Sequence, residues 1–144
     1  MINDDTIKLL RECNAGIKMG VSSIDEVLDN VSDEKLKQIL TDSRNEHDRL
    51  EADTGKLLEE YDDTGKEPNP MAKGMSWLKT NIMLTVNESD ATIADLLTDG
   101  CNMGVKSLNK YLNQYEAAEE RAKDIAKKLI KIEKNLAEQL KEYL

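Results

Sequence analysis

Apolar residues recur along this chain at spacings of three and four, the period of a helix with one buried face. Over about residues 4–30, Ile7, Leu10, Ile17, Val21, Ile24 and Leu28 keep that period, and the one position they skip is filled by Asn14. Val31-Ser32-Asp33 then breaks the pattern, with Ser32 placed to cap a second helix whose first turn is acidic. That helix is predicted to reach Tyr61, with Leu36, Ile39, Leu40, Ser43, His47, Leu50, Leu57 and Tyr61 on one face. So short a connection makes residues 3–61 an antiparallel helical hairpin.

Asp62-Asp63-Thr64-Gly65 and Pro68-Asn69-Pro70 open a long connection, 62–89. Within it Met71, Met75, Leu78, Ile82 and Val86 predict a shorter helix over 71–86. At 1.5 Å per residue that helix covers roughly 24 Å, enough to return the chain along the second helix. Residues 90–144 read as a second hairpin. Its first helix, to about Asn113, turns Ile93, Leu97, Cys101, Val105, Leu108 and Leu112 inward. Its second turns Ala118, Ala122, Ile125, Leu129, Ile132, Leu136 and Leu140 inward. A break between Asn113 and Glu119 is predicted because one continuous helix would leave most of its apolar face uncovered. The whole is one domain, residues 1–144: an all-α, up-down four-helix bundle with a long crossover carrying a short fifth helix.

Charge narrows the function. The net charge is −9 with 34% charged residues, which argues against binding nucleic acid or an anionic membrane surface. No apolar run approaches a membrane span, and Met1-Ile2-Asn3-Asp4-Asp5 lacks signal-peptide regions, so a cytoplasmic location is expected. Neither GxGxxG nor GxxxxGK[ST] occurs, and no nucleophile elbow surrounds a serine. No catalytic site and no cofactor are expected.

The two hairpins carry a repeat. Cys13-Asn14-Ala15-Gly16-Ile17-Lys18 and Cys101-Asn102-Met103-Gly104-Val105-Lys106 align at a fixed offset. Each copy holds glycines four apart, Gly16 with Gly20 and Gly100 with Gly104. Glycine inside a helix costs about 1 kcal/mol against alanine. Four of them predict close backbone approach, with the first and third helices meeting near the bundle centre of a duplicated hairpin.

Leu9-Leu10 with Cys13-Asn14-Ala15-Gly16, then Asn45-Glu46-His47, together with two hairpins and one crossover, resemble a bacterial branch of the ferritin-like superfamily. The resemblance implies a place for a di-iron site, which takes a Glu from each of two helices and Glu-x-x-His from each of the other two. Only His47 matches that pattern. Arg44 stands three residues before it, the last helix has no histidine, and Asn14 and Asn102 hold the central positions of the first and third helices. Such a centre is not expected, and His47 alone is a weak metal candidate.

The remaining candidates follow from position. His47 lies on an apolar stripe, and Asn14, Asn102 and Glu133 are placed to face it in an interior polar layer that sets helix register or forms a ligand site. Glu46 is expected to face solvent. Cys13 and Cys101 are candidate redox thiols, though neither has a nearby cation on its own helix to activate it. Met71, Met75 and Trp77 are candidate partner contacts. The expected function is that of a non-catalytic interaction or self-assembly protein, a homo-oligomer or the companion of a protein partner. The alternatives are a metal- or redox-linked bundle using His47 and the two cysteines, and a bundle that holds a small apolar ligand between its helices.

Overall fold

A computed structural model describes residues 4–61 and 89–144. Four long helices form the described part: α1 Asp4–Leu28, α2 Glu34–Glu60, α3 Asp90–Gln114 and α4 Glu120–Leu140, with a closing 3-10 turn at Lys141–Tyr143. The helix predicted over 71–86 lies outside the described residues. The break before α4 falls where the apolar pattern required one.

Local chemistry sets the ends. The carboxylate of Asp33, not the predicted Ser32, caps α2 by accepting from the Leu36 amide at 2.9 Å. Ser32 stands one residue too early to reach the orphan amides of the first turn. Ser89 caps α3 through the Thr92 amide. Glu119, at the N-cap of α4, makes no side-chain cap bond, and its backbone amide donates to Thr6 Oγ1 of α1 at 2.8 Å.

These cross-links fix the topology. Asp90, the first residue of α3, accepts from the Ser32 and Asp33 amides at 2.9 and 3.0 Å, so α3 starts beside the α1–α2 turn. At the other end Tyr61 donates to Glu119, and Arg121 pairs with Glu60 at 2.9 Å. The helices therefore run up, down, down, up, with Tyr61 and Ser89 at opposite ends of the bundle. The two pairings of α2 with α4 mirror each other. Tyr143 donates to Asp33 and Lys35 pairs with Glu142 at one end, as Tyr61 does with Glu119 and Arg121 with Glu60 at the other.

The core is divided into two clusters. One holds Leu9, Leu10, Ile17, Leu50, Ile125 and Leu129 near the α3–α4 turn; the other holds Ile24, Leu36, Leu40, Ile93, Leu97 and Leu140 near the α1–α2 turn. Each fully buried Leu or Ile contributes about 1.5–3 kcal/mol of transfer free energy. The buried faces are wider than the predicted stripes. Leu9, Val27, Thr54 and Leu58 are buried, while Ile7, Val21, Leu28, Leu57, Tyr61, Val105, Leu112 and Ile132 are only partly covered. A helix packed against two neighbours buries the flanks of its stripe, and its apolar edge positions then lie at the seams.

Candidate functional site

Each helix changes character where the two clusters meet. At that level α1 has Gly20, α2 His47, α3 Gly104 and α4 Glu133. His47 is 1% exposed and Glu133 9%. Nε2 of His47 stands 3.0 Å from Glu133 Oε1, and Nδ1 stands 2.7 Å from the Ser43 carbonyl oxygen. A carbonyl only accepts, so Nδ1 carries a proton. The contact at Nε2 then needs a second one, shared between imidazole and carboxylate. The pair is neutral as a unit, which is how two ionisable groups are accommodated in the core. Burial opposes the ring's charge, but the hydrogen bond and charge of Glu133, the Ser43 carbonyl and the charge of Glu46 outweigh it and raise the His47 pKa above 6.5.

Two of the glycines, Gly20 and Gly104, serve this layer. A Cβ on Gly20 would stand 2.6 Å from His47 Nε2, so α1 must present a bare backbone to the ring. A Cβ on Gly104 would touch the Glu133 carboxylate at 3.7 Å, one on Gly16 would touch Leu129 at 3.5 Å, and one on Gly100 would meet nothing within 4 Å among the described residues. α1 and α3 do contact each other, as expected, but their glycines border a cleft and do not form that contact. α1 packs chiefly on α2, and α3 on α4.

That cleft has a volume of about 380 Å³. Gly16, Gly20, Gly100 and Gly104 lie in its walls, with Met19, Ile24, Leu96, Leu97, Leu108 and Met103 among its apolar surfaces. His47 and Glu133 reach it from the opposite hairpin helices. Glu12 and Tyr111 add polar groups. Among the described residues Met103, 52% exposed, is one of the few large apolar side chains left to solvent.

Not every predicted site residue joins this layer. Asn14 is buried on α1 but does not line the cleft. Asn102 is exposed, a correction to the interior role predicted for it. The repeat puts both asparagines one residue past a buried cysteine, but α1 is covered by α2 and α4 together. Among the described residues α3 is covered chiefly by α4, and the position after Cys101 turns to solvent. Glu46 is exposed. Met71, Met75 and Trp77 lie outside the described residues.

The cysteines do not meet. Both are free and buried, Cys13 in one core cluster and Cys101 in the other. Burial, aided by the charge of Glu12, pushes the Cys13 thiol up to about 12. Burial, with the charge and hydrogen bond of Glu133, raises Cys101 further. Neither is set up as a nucleophile, since the thiolate is the reactive form.

The residues present do not fit a ferritin-type di-iron centre. At this level the described helices offer Glu133 and His47, joined to each other, with the Cys101 thiol beside Glu133. Arg44 turns outward to Asp25 and Asp48. Among the described residues no group of three His, Cys, Asp or Glu side chains could hold a metal ion.

Glu12, Tyr111 and the Ser43 carbonyl were not foreseen from the sequence. The pairs of glycines four apart were the available signal, because glycines in register on two helices also make room.

Fold and site together define an all-α four-helix bundle with a polar layer opening into an apolar cleft. No family model matches the chain, and no curated protein matches it. Among solved structures it is similar to a DUF305 fragment from Deinococcus radiodurans, with a TM-score of 0.76 at 10% identity over 96% of this chain and 94% of that one. At that identity the likeness shows the fold alone. No described helix is long and apolar enough to cross a membrane.

Proposed function

We propose that this protein is a non-catalytic binding protein that holds a small, largely apolar molecule in the cleft between α1 and α3. One observation carries this: an apolar cleft of about 380 Å³ whose floor bears a single buried polar pair, His47–Glu133. Ligand sites have this composition, mostly apolar walls with a few placed polar groups, and volumes of about 300–1,000 Å³. The mismatch with a di-iron ligand set and the unreactive cysteines favour binding over chemistry. The up-down-down-up order, with one crossover, supports a place among ferritin-like bundles.

The neutral solvatochromic dye prodan tests it. Its emission is expected to shift to the blue and saturate at one dye per chain. Gly100→Phe fills the cleft from a position with open space in front of it, and is expected to weaken binding at least about tenfold without lowering the melting temperature. No saturable binding, or equal binding by the variant, would overturn the proposal.

A further inference from the structure

We infer that the molecule held in the cleft is a hydrophobic amine, an aliphatic body with one protonated nitrogen; this rests on the ligand-binding role proposed above. The ionisable groups at the cleft select it. They are Glu12 on α1, His47 on α2, Cys101 and Tyr111 on α3 and Glu133 on α4, and no Lys or Arg is among the described lining residues. Glu46, next to His47 on α2, adds negative charge near the ring. Burial, with the charge of nearby carboxylates, keeps Cys101 and Tyr111 protonated, Tyr111 being pushed up to about 12. With the His47–Glu133 pair neutral as a unit, Glu12 sets the sign of the cleft among the described lining residues.

An acidic ligand would meet Glu12 as a like charge, with only the already paired His47 to offset it, which is costly. An alcohol would hydrogen bond but gain no charge pairing. An ammonium group gains both, and charge-assisted hydrogen bonds are about twice as strong as neutral ones. The aliphatic walls, with Leu96, Leu97, Leu108 and Met19, suit an alkyl body.

Binding carries a proton account. In the free protein His47 and Glu133 share one proton beyond that on Nδ1. When the ammonium reaches them, that proton leaves to solvent. The ammonium donates one N–H to the Glu133 carboxylate and one to the bare Nε2, while Nδ1 keeps its bond to Ser43. The pair's neutral charge becomes −1, and the ligand's +1 restores it. No covalent bond forms or breaks on the ligand. Affinity for the amine therefore rises with pH until the amine itself deprotonates.

Calorimetry with heptan-1-amine, heptan-1-ol and heptanoate, in buffers of different ionisation heat, decides it. The amine is expected to bind at least about tenfold tighter than the alcohol, with heptanoate weakest, and to release close to one proton. Glu133→Gln is expected to remove the amine's advantage over the alcohol. Glu12→Gln, at a half-buried position on the cleft wall, is expected to reduce that advantage in a variant whose core is untouched. An amine bound no tighter than the alcohol, or without proton release, overturns the inference and leaves the cleft standing. If none of the three binds and prodan fails as well, the binding role falls with it.

Discussion

A single imidazole organises the middle of this bundle. Its two hydrogen bonds hold the ring against Gly20, and its shared proton makes a buried carboxylate tolerable. Removing either partner leaves the other buried and unpaired, so His47→Ala or Glu133→Ala is expected to cost about 3–5 kcal/mol in urea unfolding. The pH dependence has a definite sign. His47 titrates above 6.5 in the folded protein, so the stability it contributes is complete below its unfolded value of about 6.5 and is lost as pH rises through the folded value. Unfolding free energies measured across that range should fall with pH, and His47→Gln should flatten the curve; a steeper fall in the variant would contradict the account. The glycines separate in the same assay. Gly20→Ala forces a methyl onto a ring that cannot move and should destabilise by about 1–3 kcal/mol, whereas Gly100→Ala should stabilise by up to about 1 kcal/mol. Of these residues, His47 was legible in the sequence because it interrupts an otherwise apolar stripe, and Glu133 was named only as a residue placed to face it. Asn102 was misplaced because periodicity gives the phase of a helix, not the number of neighbours that cover it.

At the level of elements, the helix ends hold the hairpins together. The Asp90 carboxylate satisfies two amides of the α1–α2 turn, while Asp5 and Thr6 of α1 receive amides from the turn before α4. Each hairpin thus caps the turn of the other. Asp90→Ala should cost about 1 kcal/mol, the usual value of a cap, and should speed amide exchange at Ser32 and Asp33 before the rest of the bundle. Uniform protection in the variant would show that the turn is held by packing instead. The breaks between helices were readable from the apolar pattern and turn residues. The capping residue of α2 was not, because Ser32 and Asp33 are both good caps and only the backbone decides which one reaches Leu36.

For the whole molecule, the mirrored ties between α2 and α4 lend support to a duplicated hairpin, proposed here from the Cys-Asn-x-Gly repeat. The fold class was legible because four amphipathic stretches with short turns and one long connection admit few arrangements. The cleft was not. Four glycines on facing helices are compatible with contact or with space, and the choice depends on how far α1 and α3 splay around the His47–Glu133 pair. Because the chain has one histidine, the claim that this pair floors a ligand cleft can be tested at a single proton. The His47 Cε1–H resonance should move as prodan is added, saturate at one equivalent, and stay still in Gly100→Phe. A resonance that does not respond while the dye saturates would place binding elsewhere and contradict the account.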